Sequence, residues 1–517
     1  MLFRSVRDGY EAPTPLTVVG AEAIQNTATA NLVDTLNTMP VFAGSYTPVQ
    51  GSGSPSSYGG GLNLLNLRSM GPQRLLVLID GQRTVSSRLD GVIDINNVPQ
   101  QLVARVDVVT AGASAVYGSD AVSGVVNFVL DKTYTGIKGE VSGGVTTYGD
   151  DRNWKIALTA GMPFANDRGH LLLSGELNYK DEVLTGAGRP WNYAGDGIIT
   201  NPNYTATNGQ PERLWLHDVG TWYAPGNVID SGPLKGIAFG VGGVPYNFNF
   251  GSLTGGIFSA GGDWQSALWA RFTKGLDPQA IRKNAFMRAS YDVTDSVNLF
   301  VQTAWNESFD DNKGFATYQA GNGPTVLSGN PFIPASVQAQ MTALKLTSIH
   351  IGGMNQDLPV IGSQSDKITT RNVIGANGKF DAMYTPWTWN AYFQNGMTRI
   401  NYNATGVTRR SLRTQAIDAV RAPNGAIVCR STLTNPNDGC VPYNPMGIGV
   451  NSAATMNYLT SGTRAHVNQH LIQNVFAGSA TGEPFSNWAG PISLALSAEH
   501  RSEKALSVPD AITLLSD

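Results

Sequence analysis

Cys429 and Cys440 bound the segment Cys-Arg-Ser-Thr-Leu-Thr-Asn-Pro-Asn-Asp-Gly-Cys and are the only cysteines in the chain. A lone pair in a loop rich in Asn, Pro and Gly suits a disulfide in an oxidising compartment. The alternative is two unrelated reduced thiols, disfavoured because free thiols in exposed loops are usually avoided. His466 and His470 stand four apart, as helical metal ligands often do. No Glu follows His466 and the segment leads into a strand, so a rim or loop role is the better reading. Asp310-Asp311-Asn312 offers oxygens to calcium, but a solvated acidic tip is preferred. Gly112, Gly118 and Gly124 read as turns needing positive φ or close backbone approach. A phosphate cradle would need Gly-x-Gly-x-x-Gly or Gly-Lys-Ser/Thr, and neither is found. There is no Gly-x-Ser-x-Gly elbow and no His-Glu-x-x-His, so no hydrolase reading gains support. The expectation is a protein that is not an enzyme, with no metal and no cofactor.

Composition narrows the class. The chain has 517 residues, 59 of them Gly, and only 14% are charged. Soluble domains carry roughly 25% charged residues. No run of ~18 apolar residues exists, which excludes a spanning helix; the longest clean run is Leu75 to Ile79. Low charge without such a helix suits a transmembrane β-barrel, whose alternation hides its hydrophobicity in any window. The net charge of −3 and scattered basic residues give no reason to expect nucleic acid.

Two textures follow one another. Residues 1–135 behave as one unit. Leu32, Val33 and Leu36 have helical spacing, and Pro40 stops that helix. Residues 44–61 read as a flexible loop. Arg74 to Asp80 reads as a central strand closed by the turn Asp80-Gly81, and Val103 to Val109 as another. Residues 136–517 alternate with period two. Segments fall at 137–145, 154–162, 171–180, 284–293, 297–307, 374–384, 387–399, 470–480 and 492–500. Short turns are read at 166–169, 294–296, Thr385-Pro386 and 486–490, with a compact loop at 148–151. Three long connectors span about 181–283, 308–373 and 400–469, with an extra strand expected around Trp264 to Phe272. Short turns at one end and long loops at the other mark an outer-membrane barrel. Trp154, Trp305, Trp387, Trp389 and Tyr402 are placed in its aromatic girdles. A β-sandwich core would prefer branched aliphatics, and no fixed repeat supports a solenoid.

Three stretches carry a family resemblance. Asn66-Leu67-Arg68-Ser69-Met70-Gly71 with Arg74-Leu75-Leu76-Val77-Leu78-Ile79-Asp80-Gly81-Gln82-Arg83 resembles the plug signature of TonB-dependent receptors. Val103 to Val109, followed by Gly112 to Asn127 with Tyr117-Gly118-Ser119-Asp120 inside it, is similar to the plug's second half. Ala12 to Gly20 resembles its start. The loop ending Asp438-Gly439-Cys440-Val441-Pro442-Tyr443-Asn444 resembles a subgroup with a small extracellular disulfide loop. The resemblance implies a mainly β chain: an α+β plug at 1–135, then an antiparallel transmembrane barrel at 136–517, with about nine of ~22 strands. It implies the outer membrane of a Gram-negative bacterium, with surrounding lipid. It also implies an extracellular small-molecule or oligomeric ligand (siderophore, vitamin, saccharide or peptide) and, as partner, the TonB energy-transducing complex.

Site residues follow from the same resemblance. The plug motif is Asp80, Gly81, Gly112, Tyr117, Gly118 and Gly124. Arg68 is expected to lock plug to barrel through Glu140, Glu176 or Glu499, because buried charges need partners. Many family members carry Arg-Gly where this chain has Thr110-Ala111-Gly112, which leaves the usual two-arginine lock unsupported. Ligand contact is assigned to plug apices bearing Tyr46, Tyr58, Ser87 and Arg88, since aromatics and Arg suit amphipathic or anionic ligands. A passive porin is the second reading, and a soluble β-rich module the third. A porin needs no 130-residue plug, so the motifs at 66–83 and 103–127 favour the receptor. The N-terminus lacks a signal h-region, the TonB-contacting segment is not evident, and the strand count is short. The expectation is therefore a piece of a longer receptor.

Overall fold

The computed structural model describes residues 16–22, 32–48, 61–110, 114–193, 195–268, 275–319, 323–461, 465–488 and 490–515. A small sheet and a large sheet organise it. The small one has strands β1 (Leu16–Gly20), β2 (Leu75–Ile79), β3 (Gln82–Arg83), β4 (Val103–Val109) and β5 (Gly124–Leu130) in the order β1-β4-β5-β2-β3. β2 runs parallel to β5, and the other pairs are antiparallel. β2 is buried on both faces, as a continuous Leu-Leu-Val-Leu-Ile run requires. Leu32, Val33 and Leu36 of the helix Leu32–Asn37 pack with Phe42, Val77, Val106 and Phe128 in one core.

The large sheet is an antiparallel meander of nine strands. These are β6 (Gly136–Gly144), β7 (Asn153–Phe164), β8 (Gly169–Lys180), β9 (Gln279–Thr294), β10 (Val297–Ala316), β11 (Val360–Ala382), β12 (Thr385–Thr405), β13 (His466–Asn487) and β14 (Gly490–Pro509). Each expected segment lies within one strand or overlaps it. The sheet is open: among the described residues β6 and β14 are not paired with each other. Its outward side chains, among them Ile137, Val141, Leu158, Leu173, Val301, Ile374, Phe476 and Leu496, are exposed apolar groups. Its inward side chains are polar and mostly buried, for instance Thr159, Ser174, Gln302, Thr369, Gln394 and Gln473. This alternation is what lipid outside and a polar filling inside demand.

Several expectations are corrected. β10 reaches Ala316 and β11 begins at Val360, so the second connector is shorter than read. There the outward positions turn polar as well, as at Asp311 and Lys313, and the alternation vanishes from the sequence. Asp310-Asp311-Asn312 is therefore strand and not a solvated tip: Asp310 and Asn312 are buried inward. The turn expected at Thr385-Pro386 lies at Met383-Tyr384, both at positive φ (52° and 62°), as a two-residue hairpin turn requires. Pro386 is in the ladder opposite Asp381. Trp264 sits in the short helix Asp263–Ala267 and not in a strand; residues 269–274 lie outside the described residues. Tyr402 falls on the inward register of β12 and is buried, so it is no girdle residue. Trp154, Trp305 and Trp389 keep the outward register. Trp387 shares that register but is covered, stacked on Phe380 at 6.0 Å with its indole N–H on Ala382 O at 3.1 Å.

Gly124 shows why one plug motif position tolerates no side chain. Its φ is 144°, and a Cβ there would stand 2.2 Å from Val109 O and 2.6 Å from Leu67 Cδ2. Gly124→Ala is expected to destabilise the plug by about 1–3 kcal/mol through overpacking on a strained backbone. Faster proteolysis of the plug, with the nine-stranded sheet still resistant, would report it; unchanged cleavage would refute it.

Candidate functional site: the seam between plug and sheet

The inward residues of the large sheet close on the plug. Lys367 of β11 forms an ion pair with Asp94, and both side chains are buried. Asp94 also accepts from Asn96 N at 3.0 Å and Asn63 N at 3.2 Å. Its carboxylate therefore caps the short helix Ile95–Asn97 while it holds the wall. Arg282 of β9 donates to Gly61 O at 3.0 Å and lies 3.6 Å from Asp310. Gly61 has no room for a side chain because Asp310 occupies the place, 1.8 Å from an added Cβ. Asn306 donates to Asn96 O at 3.2 Å.

A second group of contacts reads the backbone of plug residues 83–86. Gln394 donates to Arg83 O at 2.9 Å, Thr398 to Ser86 O at 2.9 Å and Gln473 to Thr84 O at 3.4 Å. Arg371 bridges Gln394 Oε1, at 2.8 Å, and Gln82 Oε1. Val85 packs with Ile400 and Leu471, directly over Gly396. Among the described residues of the sheet, Leu172 and Phe286 join the main plug core and Ala304 packs against it. The seam is thus hydrogen-bonded and polar, with apolar contact at few points.

Among the described residues Arg68 takes no part in it and stands exposed, which corrects the lock. It lies in the turn Leu67–Ser69 at φ 54°, where Leu67 is driven into the plug core and Arg68 is left exposed. The three carboxylates assigned to it have other partners. Glu140 pairs with Lys155 at 3.1 Å and lies 3.5 Å from Gln101 Nε2. Glu176 accepts from Gln101 N at 3.0 Å and Asn284 Nδ2 at 3.3 Å. Glu499 faces Arg83 at 3.6 Å, and Arg83 also holds Asp120 at 2.6 Å. So the wall carboxylates do meet the plug, but at Gln101 and Arg83. Lys367, Asp94, Arg282, Arg371 and Gln394 were not singled out from the sequence. The signal of the four strand residues is a polar residue at an inward position, which many surface strands share, and Asp94 lies in a turn with no strand pattern at all.

The plug motif residues shape turns. Asp80 has φ 53° and accepts from Leu130 N at 3.0 Å, with Lys132 at 3.5 Å. Gly81 has φ 76° and donates to Asn127 Oδ1 at 2.7 Å. Gly118 has φ 84°. Tyr117 offers its carbonyl to Arg83 at 2.8 Å, and burial pushes its hydroxyl up to about 12. Gly112 lies outside the described residues.

Of the apex residues, Tyr46 is exposed and its backbone pairs with Leu64. Tyr58 lies outside the described residues. Ser87 is buried, which corrects its placement as a ligand contact: Ser87 Oγ accepts from Asp94 N at 3.0 Å and lies 3.3 Å from Asn97 Nδ2. Arg88 is ion-paired with Asp90. Burial raises the Asp90 carboxyl, but hydrogen bonds from Arg88 and Gln73 outweigh it and hold the group below its ordinary value. Among the described residues no cluster of His, Cys, Asp or Glu is arranged to hold a metal ion. His466 instead stands 3.6 Å from Asp510. Cys429 and Cys440 are joined in a disulfide, Cα to Cα 6.1 Å. No described helix is long and apolar enough to cross a membrane.

Comparison with known proteins places the first part of the chain. The family model "TonB-dependent Receptor Plug Domain" matches residues 8–125. Among solved structures, the chain is similar to a mutant ferric enterobactin receptor (PfeA) from Pseudomonas aeruginosa, at 15% identity and TM-score 0.44. That match covers 96% of this chain and 56% of the other. It is similar to the siderophore receptor PirA from Pseudomonas aeruginosa at 11% identity and TM-score 0.37, over 97% and 54%. It is similar to the ferric-catecholate import receptor Fiu from K12 E. coli at 12% and 0.39, over 97% and 64%. The chain thus spans less than two thirds of each of these relatives.

Two outcomes follow from these contacts. Asp94→Ala strands Lys367 in the seam and is expected to cost about 3–5 kcal/mol, while the double variant Asp94→Asn with Lys367→Met recovers part of it. Melting and plug proteolysis of both variants would check this; equal loss in single and double variants would refute it. At the long-connector rim, burial first, then Asp277 and Asp150 against the opposing pull of Lys180, push Asp151 up from 3.8 to about 6. A raised carboxyl contributes stability below its unfolded value, and that contribution is lost as pH rises through about 6. Asp151→Asn should therefore hold the rim more firmly than wild type at pH 7 and equally at pH below 3.8. Hydrogen exchange at Tyr179 to Asp181 across that range measures it, and a parallel pH dependence in both proteins would contradict it.

Proposed function

We propose that this chain, a TonB-dependent receptor by its plug and its outward-apolar antiparallel sheet, serves as an outer-membrane receptor that imports a scarce ligand under TonB coupling. On this reading residues 1–135 are the plug, residues 136–517 belong to the barrel, and the outer membrane of a Gram-negative bacterium is its site. The observation that carries the reading is the seam. Carbonyls of residues 83, 84 and 86 are held by Gln394, Gln473 and Thr398, and such bonds can be exchanged for water one at a time. Each contributes only about 0.5–1.5 kcal/mol net, so a pulling force acting on one end of the plug could break them in sequence. An apolar seam would need to be exposed as a whole. The ligand proposed first is a ferric siderophore, the class named in the solved relatives.

A deletion strain carrying the full-length gene tests this. Growth on ferric siderophores under iron limitation should depend on the gene and should cease when TonB is removed. Uptake that persists without TonB would favour the passive porin instead. TonB-dependent growth on another nutrient, with none on siderophores, would keep the receptor and change the ligand.

A further inference from the structure

The long connectors do not behave as separate loops in their hydrogen bonding. The first, about 181–278, contributes the short strands Gly226–Ile229, Ile237–Phe239 and Pro245–Asn247. The second, 317–359, contributes Tyr318–Gln319, Thr325–Leu327 and Ser348–Asn355. These join in one sheet, with Gly226–Ile229 paired to Ser348–Asn355 across the two connectors. The third connector, 406–465, is laid against the first by a parallel bridge between Val241 and Ile448. Gly447 N donates to Gly226 O at 3.1 Å, and Gly242 N to Ile448 O at 2.9 Å. The three share one apolar core. Ile229 and Phe239 come from the first connector, Val337 and Ile351 from the second, Ile417 and Leu459 from the third.

One carboxylate ties the second connector to the third. Asp357 accepts from the consecutive backbone N–H groups of Gly449 (2.6 Å), Val450 (3.0 Å) and Asn451 (3.1 Å). It also accepts from Asn451 Nδ2 at 2.9 Å. Successive amides aimed at one anion form a nest, and charge-assisted bonds of this kind are about twice as strong as neutral ones. The disulfide Cys429–Cys440 closes a loop within the third connector alone, so it cannot supply this tie.

We propose that the described parts of the three long connectors form a single cooperative cap, clasped by Asp357, which opens and closes as one body and not loop by loop. A cooperative unit loses protection as a whole when its weakest joint is cut. The proposal does not depend on the ligand, nor on energy coupling.

Hydrogen exchange of the full-length receptor in outer-membrane vesicles tests it, comparing wild type with Asp357→Ala. Amides of residues 447–451 should exchange faster on the order of tenfold, as loss of a charge-assisted set implies. Amides of 226–229 and 348–355 should rise with them, while the nine long strands stay unchanged. A rise confined to 447–451 would show independent loops and overturn the proposal, as would no change at all. Asp357→Asn keeps the shape and one acceptor oxygen, and should produce a smaller rise over the same set of amides. A second variant pair, Val241→Cys with Ile448→Cys, should cross-link spontaneously and restore protection across all three connectors in the Asp357→Ala background. Restoration only next to the cross-link would also overturn the single-body reading.

Discussion

An ammonium and a carboxylate enclosed between plug and sheet must be enclosed together. Lys367 and Asp94 have almost no contact with water, and either one alone would carry a large desolvation cost. This pair makes the position of the plug inseparable from the register of the wall. Lys367 points inward only because β11 alternates in phase with Ser365, Thr369 and Arg371, all buried on the same side. A slip of one residue would turn all of them outward. Asp94 is in reach only because it caps the turn Ile95–Asn97 and is itself oriented by Ser87. The plug turn and the sheet register thus constrain one another through a single ion pair.

The remainder of the seam follows the same logic at lower cost. Glutamine, threonine and asparagine on the wall meet backbone carbonyls of the plug. These groups were hydrated before the two surfaces met and can be hydrated again. Interior polarity therefore gives precise seating without a large apolar penalty on separation. The wall accepts apolar contact at few points, at Leu172, Phe286 and Ala304 against the plug core and at Ile400 and Leu471 against Val85. A body that must be held firmly and displaced reversibly is well served by this division.

At the long-connector end the physics reverses. There the chain has left the outward apolar band, and the connectors must bury their own hydrophobic residues. They do so jointly, with Ile229, Val337 and Leu459 in one core. Three insertions far apart in sequence therefore share one core, while the first also buries apolar clusters of its own around Trp222, Val228 and Phe248 and around Ile199 and Val219.

Much of this was legible in order along the chain. Period-two alternation located the nine long strands, and the run at 75–79 and the segment 103–109 located two strands of the plug sheet. Gly81 and Gly118 could be read as turns because positive φ leaves few other residues. What stayed hidden shares one cause. Arg68 was assigned to the wall and is exposed, while Asp310 was assigned to solvent and is buried. Ser87 was assigned to the ligand and braces Asp94. Local pattern tells whether a residue alternates, not which surface will stand opposite it. The sequence by itself determined where the long strands run through the apolar band and most of the tight turns between them, since these depend on neighbours within a few residues. Only the tertiary structure decided which charges pair across the seam and that three connectors make one cap. Those contacts join residues hundreds of positions apart, as Asp94 and Lys367 are, and their free energy exists only once both surfaces are in place.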